Sequence, residues 1–306
     1  MSDVDSPFLA QLLAGTPVST FFEEYWQHRP LHARGAADRF SRLFDKQAFH
    51  RATRCCDNLK ISTRDFRGVS MERACSPDKV EDAFGAGATV CISGIQDNAR
   101  LNQFMAAFAR EVHQAGELSF NCYYSPSGHG FSLHLDDHPV WILQIEGKKR
   151  WWYSKVPYEK PLSTVSFPQG AKVAQVPWAA PIPRPDESEF FEVVLQPGDV
   201  LYLPEGSWHR AAAEEGESLA LTLACSRITP LDLVQQVLAA RIAHRRSLRE
   251  NLPGTRASSV GDAIPGALEA QFAAVLDELR GMVNGLRPQD MYDAWRKLAA
   301  RDGADH

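Results

Sequence analysis

The sequence predicts a mainly β protein with flanking helices, built on a double-stranded β-helix (the jelly-roll or cupin architecture), with another β-sandwich as the alternative, and a helical C-terminal region. Three observations predict it. Short strand-like segments with turn signals between them fill residues 118 to 226. Segments with helical periodicity flank them on both sides. A His-x-Asp pair lies on one strand, and another histidine opens a late one.

Residues 1 to about 115 read as mixed, largely helical structure. Phe8 to Leu13 is a short apolar helix candidate. Thr20 can cap a second helix running through Trp26, with Glu23 and Glu24 following it. Ala88 to Ser93 is short and rich in β-branched residues, as a strand should be. Asn102 to Gln114 reads as an amphipathic helix, because Phe104, Phe108 and Val112 recur every four residues on one face.

Eight strands follow. They are Leu118 to Tyr124, Phe131 to Asp136, Val140 to Glu146, Lys149 to Ser154, Phe190 to Leu195, Val200 to Leu203, Trp208 to Ala213 and Ser218 to Cys225. Gly147 is placed at a hairpin turn, and a Pro-rich connection carries Pro177, Pro181, Pro183 and Pro185. Pro197-Gly198-Asp199 and Pro204-Glu205-Gly206 are turn signals. Helical periodicity returns over Leu231 to Leu248, Ala267 to Leu279 and Asp290 to Ala300, with a loop at Gly254 to Gly261. The expected division is a cupin-like β domain with its N-terminal helices over 1–226 and a helical region over 227–306.

Bulk properties exclude several classes. Of 306 residues, 44% are hydrophobic and 23% charged, ordinary values for a soluble globular chain. A net charge of −5 offers no basic field for nucleic acid or an anionic membrane. No apolar stretch approaches a membrane span, and the acidic start (Met1 to Ser6) lacks the core of a secretory signal. The six cysteines form no CxxC pair and are expected to be reduced thiols in a cytoplasm.

The chemistry concentrates at His134-Leu135-Asp136. Positions i and i+2 of a strand face the same way, so an imidazole and a carboxylate are aimed together. His209, 73 residues after Asp136, follows a turn at the start of a late strand and supplies the third ligand. Two imidazoles and one carboxylate on one face of a metal leave positions open, the arrangement of non-haem iron(II) oxygenases. His129, Asp137 and His138 are nearby decoys. A helical His134/His138 pair is opposed by Pro139 and the strand pattern.

Three segments resemble the cupin-like JmjC oxygenases of the ribosomal oxygenase type. They are Asn121 to Pro126 before His134-Leu135-Asp136, Val140 to Trp151, and Leu195 to His209. Phe21 to Leu31 is similar to the helix-and-turn with which such proteins begin. The resemblance spans roughly residues 8 to 226. It implies iron(II), with 2-oxoglutarate as co-substrate, and hydroxylation of side chains in a protein or peptide substrate. By position it puts the basic residue for the distal carboxylate of 2-oxoglutarate on Lys149, and it marks Asn121, Tyr123 and Ser125 as pocket residues. Alternation along the strand brings Lys149, Trp151 and Tyr153 to one face, where an inward lysine needs an anion. A solvated charge run, Lys148 to Arg150, is the competing reading of that lysine. The helices beyond 226 could form a homodimer. At 80 residues they are shorter than the C-terminal regions of larger family members, which puts a ribosomal substrate in doubt.

Three rivals stand beside this reading. The same chemistry could serve a small molecule or a biosynthetic peptide. A metal cupin enzyme could work without 2-oxoglutarate. A non-catalytic cupin could act as a binding module. The presence of Asp136 opposes a halogenase, where halide takes the position of the carboxylate.

Overall fold

The computed structural model describes residues 7–64, 70–95, 97–113, 116–166, 182–252, 264 and 266–304. The chain forms two compact units, Met1–Ser226 and Arg227–His306.

In the first unit, helices and strands alternate before the β core begins. Helix α1 (Pro7–Leu13) and the short α2 (Val18–Thr20) precede strand β1 (Leu31–Ala33). Helix α3 (Lys46–Cys55) starts where the Asp45 carboxylate accepts the Ala48 N–H at 2.6 Å. Strands β2 (Leu59–Arg64) and β3 (Ser70–Ala74), helix α4 (Val80–Gly85) and strand β4 (Thr89–Ile92) follow. Helix α5 (Ala99–Val112) is capped by Asn98, whose side chain accepts the N–H groups of Arg100 and Leu101. The core strands are β5 (Leu118–Ser125), β6 (Gly130–Leu135), β7 (Val140–Tyr153), β8 (Val165–Ser166), β9 (Phe191–Leu195), β10 (Val200–Leu203) and β11 (His209–Cys225).

Two long strands build the jelly roll. β7 and β11 are antiparallel neighbours along most of their length. Residues 140–143 of β7 pair with β10, whereas residues 149–153 pair with β9. β11 likewise pairs with β6 near His209 and with β5 from Ser218 onward. One half of each strand thus joins the layer β1-β10-β7-β11-β5-β4-β2-β3, and the other half joins β8-β6-β11-β7-β9. Side-chain alternation then separates two apolar clusters. Phe120, Trp141, Tyr202 and Leu221 pack with Leu9, Phe49 and Phe108 of the helices. Ile142, Trp151, Tyr153, Leu195, Leu201 and Ala211 form a second cluster on the inner surface.

Several sequence expectations are corrected here. Gly147 is not a hairpin turn, because β7 runs straight through it and the register with β11 shifts there instead. The reason is a bulge: Gly147 has φ +67°, and a Cβ on it would lie 1.9 Å from the Glu217 carbonyl oxygen. The Gln144 side-chain amide closes the bulge by donating to the Glu146 carbonyl (2.8 Å) and to Ser218 Oγ (2.9 Å). Trp208 to Ala213 and Ser218 to Cys225 are likewise one strand, with Glu215 and Gly216 at positive φ in its middle. Thr20 caps nothing: it is helical itself, and Phe21–Tyr25 winds as a π-helical turn. The largely helical N-terminal region also contains β1, β2 and β3, which were not expected. Helix α5 begins at Ala99 rather than Asn102, and β6 ends one residue before Asp136. Gln114, Pro177, Pro181 and the Gly254 to Gly261 loop lie outside the described residues.

The second unit holds α6 (Pro230–Ala243), α7 (Gly266–Asn284) and α8 (Pro288–Ala304). Thr229 and Asp232 form a reciprocal capping box at the start of α6. Arg241 ties the three helices together through the Met282 carbonyl (2.9 Å) and Asp290 (3.1 Å). Among the described residues, no helix is long and apolar enough to cross a membrane.

The bulge yields a stability prediction. Gly147→Ala forces a Cβ into backbone at a left-handed φ and should destabilise the protein by at least about 2 kcal/mol. Urea titration reads this directly, and an unchanged midpoint would refute the close approach.

Candidate metal centre

Alternation aims the ligands. Leu133 and Leu135 of β6 pack with Val165 and Trp208 on one side of the strand, which leaves His134 and then Asp136 to the inner surface. His209 opens β11 directly opposite His134, and the two rings lie 4.1 Å apart. One potential ligand atom from each of His134, Asp136 and His209 falls within 4.8 Å of the others. His209 Nε2 is 3.8 Å from Asp136 Oδ2. Among the described residues, this is the one such group of three or more. The decoys stand apart: His138 bonds Asp137 at 2.9 Å, and the His129 ring lies against Gly87.

Backbone carbonyls fix both imidazole tautomers. His134 Nδ1 is 2.8 Å from the Ser132 oxygen, and His209 Nδ1 is 2.8 Å from the Ser207 oxygen. A carbonyl only accepts, so each Nδ1 carries the proton and each Nε2 keeps its lone pair for an electrophile. Burial, reinforced by the neighbouring His134, pushes the His209 pKa down to about 4. Burial opposes ionisation of Asp136, but the facing His134 and His209 outweigh it and hold that carboxyl below its ordinary pKa. The cluster therefore offers two Nε2 lone pairs and one carboxylate, which suits a divalent metal.

Backbone bonds hold the two ligand segments in register. The Gly206 N–H donates to the Asp136 carbonyl at 2.8 Å, joining the HxD segment to the turn that precedes His209. The Tyr158 N–H donates to the Gly206 carbonyl at 2.8 Å. Gly206 has φ +78°, and any Cβ there would strike the Tyr158 oxygen at 1.9 Å. Thr164 Oγ1 lies 3.4 Å from Asp136 Oδ1 and 3.3 Å from Asp137 Oδ1. Thr164 carries no signal in the sequence, because it reaches Asp136 from a non-repetitive segment 28 residues away.

Lys149 faces inward and is 2% exposed, so the solvated-charge reading fails. Its ammonium donates to Ser125 Oγ at 3.1 Å and lies 5.8 Å and 6.0 Å from the rings of Tyr123 and Trp151. Thr89, also missed by sequence reasoning, donates to the same Ser125 oxygen at 3.1 Å. Among the described residues, no carboxylate lies within ion-pair distance of Lys149, and burial lowers its pKa to about 8. Ala211 and Ala213 stand beside Trp151 and Lys149 across the ladder, and their small side chains leave room there. Asn121 is otherwise engaged, since its side-chain oxygen accepts the Gly94 N–H at 3.0 Å.

A jelly roll with a His-Asp-His cluster on its inner surface defines a cupin-like protein with a candidate metal site. The JmjC domain family matches residues 92–233, the stretch that holds the triad and Lys149. It is 24% identical over 318 residues to the uncharacterized protein YxbC of Bacillus subtilis (strain 168), covering 96% of this chain and 93% of that protein. It is 26% identical to the bifunctional lysine-specific demethylase and histidyl-hydroxylase NO66 of Drosophila mojavensis, covering 86% of this chain but only 30% of that protein. Its fold matches the Escherichia coli ribosomal oxygenase YcfD (TM-score 0.60, 17% identity, 94% of this chain and 71% of that one). The same protein in complex with cobalt and 2-oxoglutarate matches with a TM-score of 0.58 at 18% identity, over 92% of this chain and 70% of that one.

The depressed His209 pKa predicts how the metal-free protein responds to acid. Between about pH 6.5 and 4 the unfolded chain binds a proton that folded His209 refuses, so stability falls as pH falls through that window. One proton corresponds to a slope of about 1.4 kcal/mol per pH unit. Urea unfolding across this range should show a shallower slope in His209→Gln than in wild type, and equal slopes would contradict the shift.

Proposed function

We propose that the protein is an iron(II)- and 2-oxoglutarate-dependent oxygenase that hydroxylates a side chain of a protein or peptide. The observation that carries this reading is a pairing on one inner surface. A His-Asp-His cluster lies near a buried ammonium that no carboxylate answers among the described residues. 2-Oxoglutarate is the complementary shape, with a chelating keto acid at one end and a carboxylate at the other. The relatives support the reading: one carries demethylase and histidyl-hydroxylase in its name, and YcfD is a ribosomal oxygenase with a cobalt and 2-oxoglutarate complex.

His134, Asp136 and His209 would hold the metal through two neutral Nε2 atoms and one carboxylate. Bound iron(II) would supply dioxygen activation coupled to decarboxylation of 2-oxoglutarate to succinate. Lys149 would hold the distal carboxylate, with Ser125 and Tyr123 shaping that end of the pocket. Asn121 would support the wall through its bond to Gly94 rather than touch the ligand. Trp151, Ala211 and Ala213 exclude water around the bound ends, which strengthens each charged contact. All six cysteines are free, which suits a reducing cytoplasm, and the net charge of −5 gives no footing to nucleic acid. The helical unit is the candidate homodimer element, because Phe272, Leu276 and Val283 expose apolar surface along α7.

The deciding assay supplies anaerobically iron-loaded protein with 2-oxoglutarate, oxygen and a peptide pool. Succinate release with a peptide gain of about 16 mass units supports the proposal. Asp136→Ala should lose both succinate release and tight metal binding, and full turnover in that variant would falsify the triad. Lys149→Met gives the opposite pattern on two axes. It should abolish 2-oxoglutarate binding, keep the metal, and stabilise the free protein by about 1–3 kcal/mol, because an uncompensated buried charge is removed.

A further inference from the structure

Resting on the co-substrate reading above, we propose that the indole N–H of Trp151 is a ligand-binding donor that hydrogen-bonds an oxygen of the dicarboxylate lying between Lys149 and His209. Trp151 is 8% exposed, yet among the described residues its Nε1 has no hydrogen-bond partner. A buried donor without an acceptor is costly, so native proteins rarely keep one without a reason. The neighbours of this one supply the reason. The indole ring lies 5.8 Å from the His209 ring and 6.0 Å from the Lys149 ammonium. It therefore stands between the group that would face the metal and the group that attracts a carboxylate. Its cross-strand neighbours are Ala211 on β11 and Val193 on β9, neither of which carries a side-chain acceptor.

Two other tryptophans mark the contrast. Trp152, one residue on and facing the other way, donates to Glu192 at 2.8 Å. Trp141 also has an unpartnered Nε1, but its ring packs among Phe21, Phe108 and Tyr202 in the helix-side core, where no ligand group converges. Trp151 alone among these three joins an orphaned donor to a cationic and an imidazole neighbour. An indole N–H can only donate, so the ligand must bring the acceptor, and a carboxylate or keto oxygen of 2-oxoglutarate is such a group.

The test uses the full-length protein loaded with zinc(II), which binds the triad without redox turnover. Calorimetry measures 2-oxoglutarate binding to wild type and to Trp151→Phe, which keeps the ring and removes the donor. Zinc affinity should be unchanged, and 2-oxoglutarate should bind roughly tenfold more weakly to the variant, as loss of one charge-assisted hydrogen bond implies. Equal affinities overturn this inference alone. Zinc-loaded wild type that binds no 2-oxoglutarate overturns the co-substrate reading and this inference with it. Should the variant fail to fold, the wild type suffices: among its seven indole 15N–1H resonances, one should move downfield when 2-oxoglutarate is added. Seven unmoved resonances overturn the inference.

Discussion

The whole arrangement depends on β7 and β11 bending together. Each strand serves two layers, and the change of layer falls at Gly147 on one strand and between Glu214 and Leu219 on the other. Side-chain alternation carries through the bulge with its phase adjusted. Trp141 and Leu143 therefore face the helices, whereas Lys149, Trp151 and Tyr153 face inward. A slip of one residue would turn Lys149 to solvent and put Lys148 or Arg150 inside. The bulge is held by backbone proximity that only glycine tolerates and by the amide of Gln144, itself fully buried.

The inner surface is polar where it could have been apolar, and that choice has a thermodynamic signature. Lys149, His209 and the Trp151 indole are all buried, and two of them are shifted in pKa toward their neutral forms. A buried ammonium whose one hydrogen-bond acceptor among the described residues is a serine hydroxyl is less favourable than an apolar residue of the same volume. Such a site costs the free protein stability and returns it when an anion binds. The two histidines show the same economy. Each gives its Nδ1 proton to a carbonyl two residues earlier in its own segment, so the tautomer is set by local backbone and does not depend on the metal.

Much of this was legible in the sequence because it rests on period two. The HxD pair and the late His209 follow from alternation along strands whose apolar partners are visible in the chain, whereas for Lys149 alternation leaves a solvated Lys148 to Arg150 run open and the family resemblance decides. Continuity was not legible. Gly147 and the Glu214 to Gly216 run carry turn composition, and a wide bulge in a long strand looks the same as a hairpin until its partner strand is known. β2 and β3 were missed for a related reason. Lys60, Ser62, Glu72 and Arg73 make poor strand-formers, and these strands exist because they extend the sheet beyond the fully buried β4. The π-helical turn at Phe21 was hidden as well: Phe21 is fully buried against Trp141 and Tyr202, and that packing overrides the capping preference of Thr20.

The division of labour between strands and connections explains where specificity would arise. Strands β6, β7 and β11 fix His134, Lys149 and His209, so both imidazoles and the buried ammonium are set by the rigid part of the fold. Asp136 sits just past the end of β6, and its position is set by connections instead: the Gly206 N–H, the Tyr158–Gly206 bond and the Thr164 hydroxyl. The same segment, residues 154–164, exposes Val156, Tyr158 and Leu162 beside the ligand turn. A connection that braces the Asp136 carboxylate while presenting apolar side chains to solvent couples two tasks. Substitutions that retune what docks on it also risk moving Asp136, and this constrains how far the surface of the site can diverge while the chemistry beneath it stays the same.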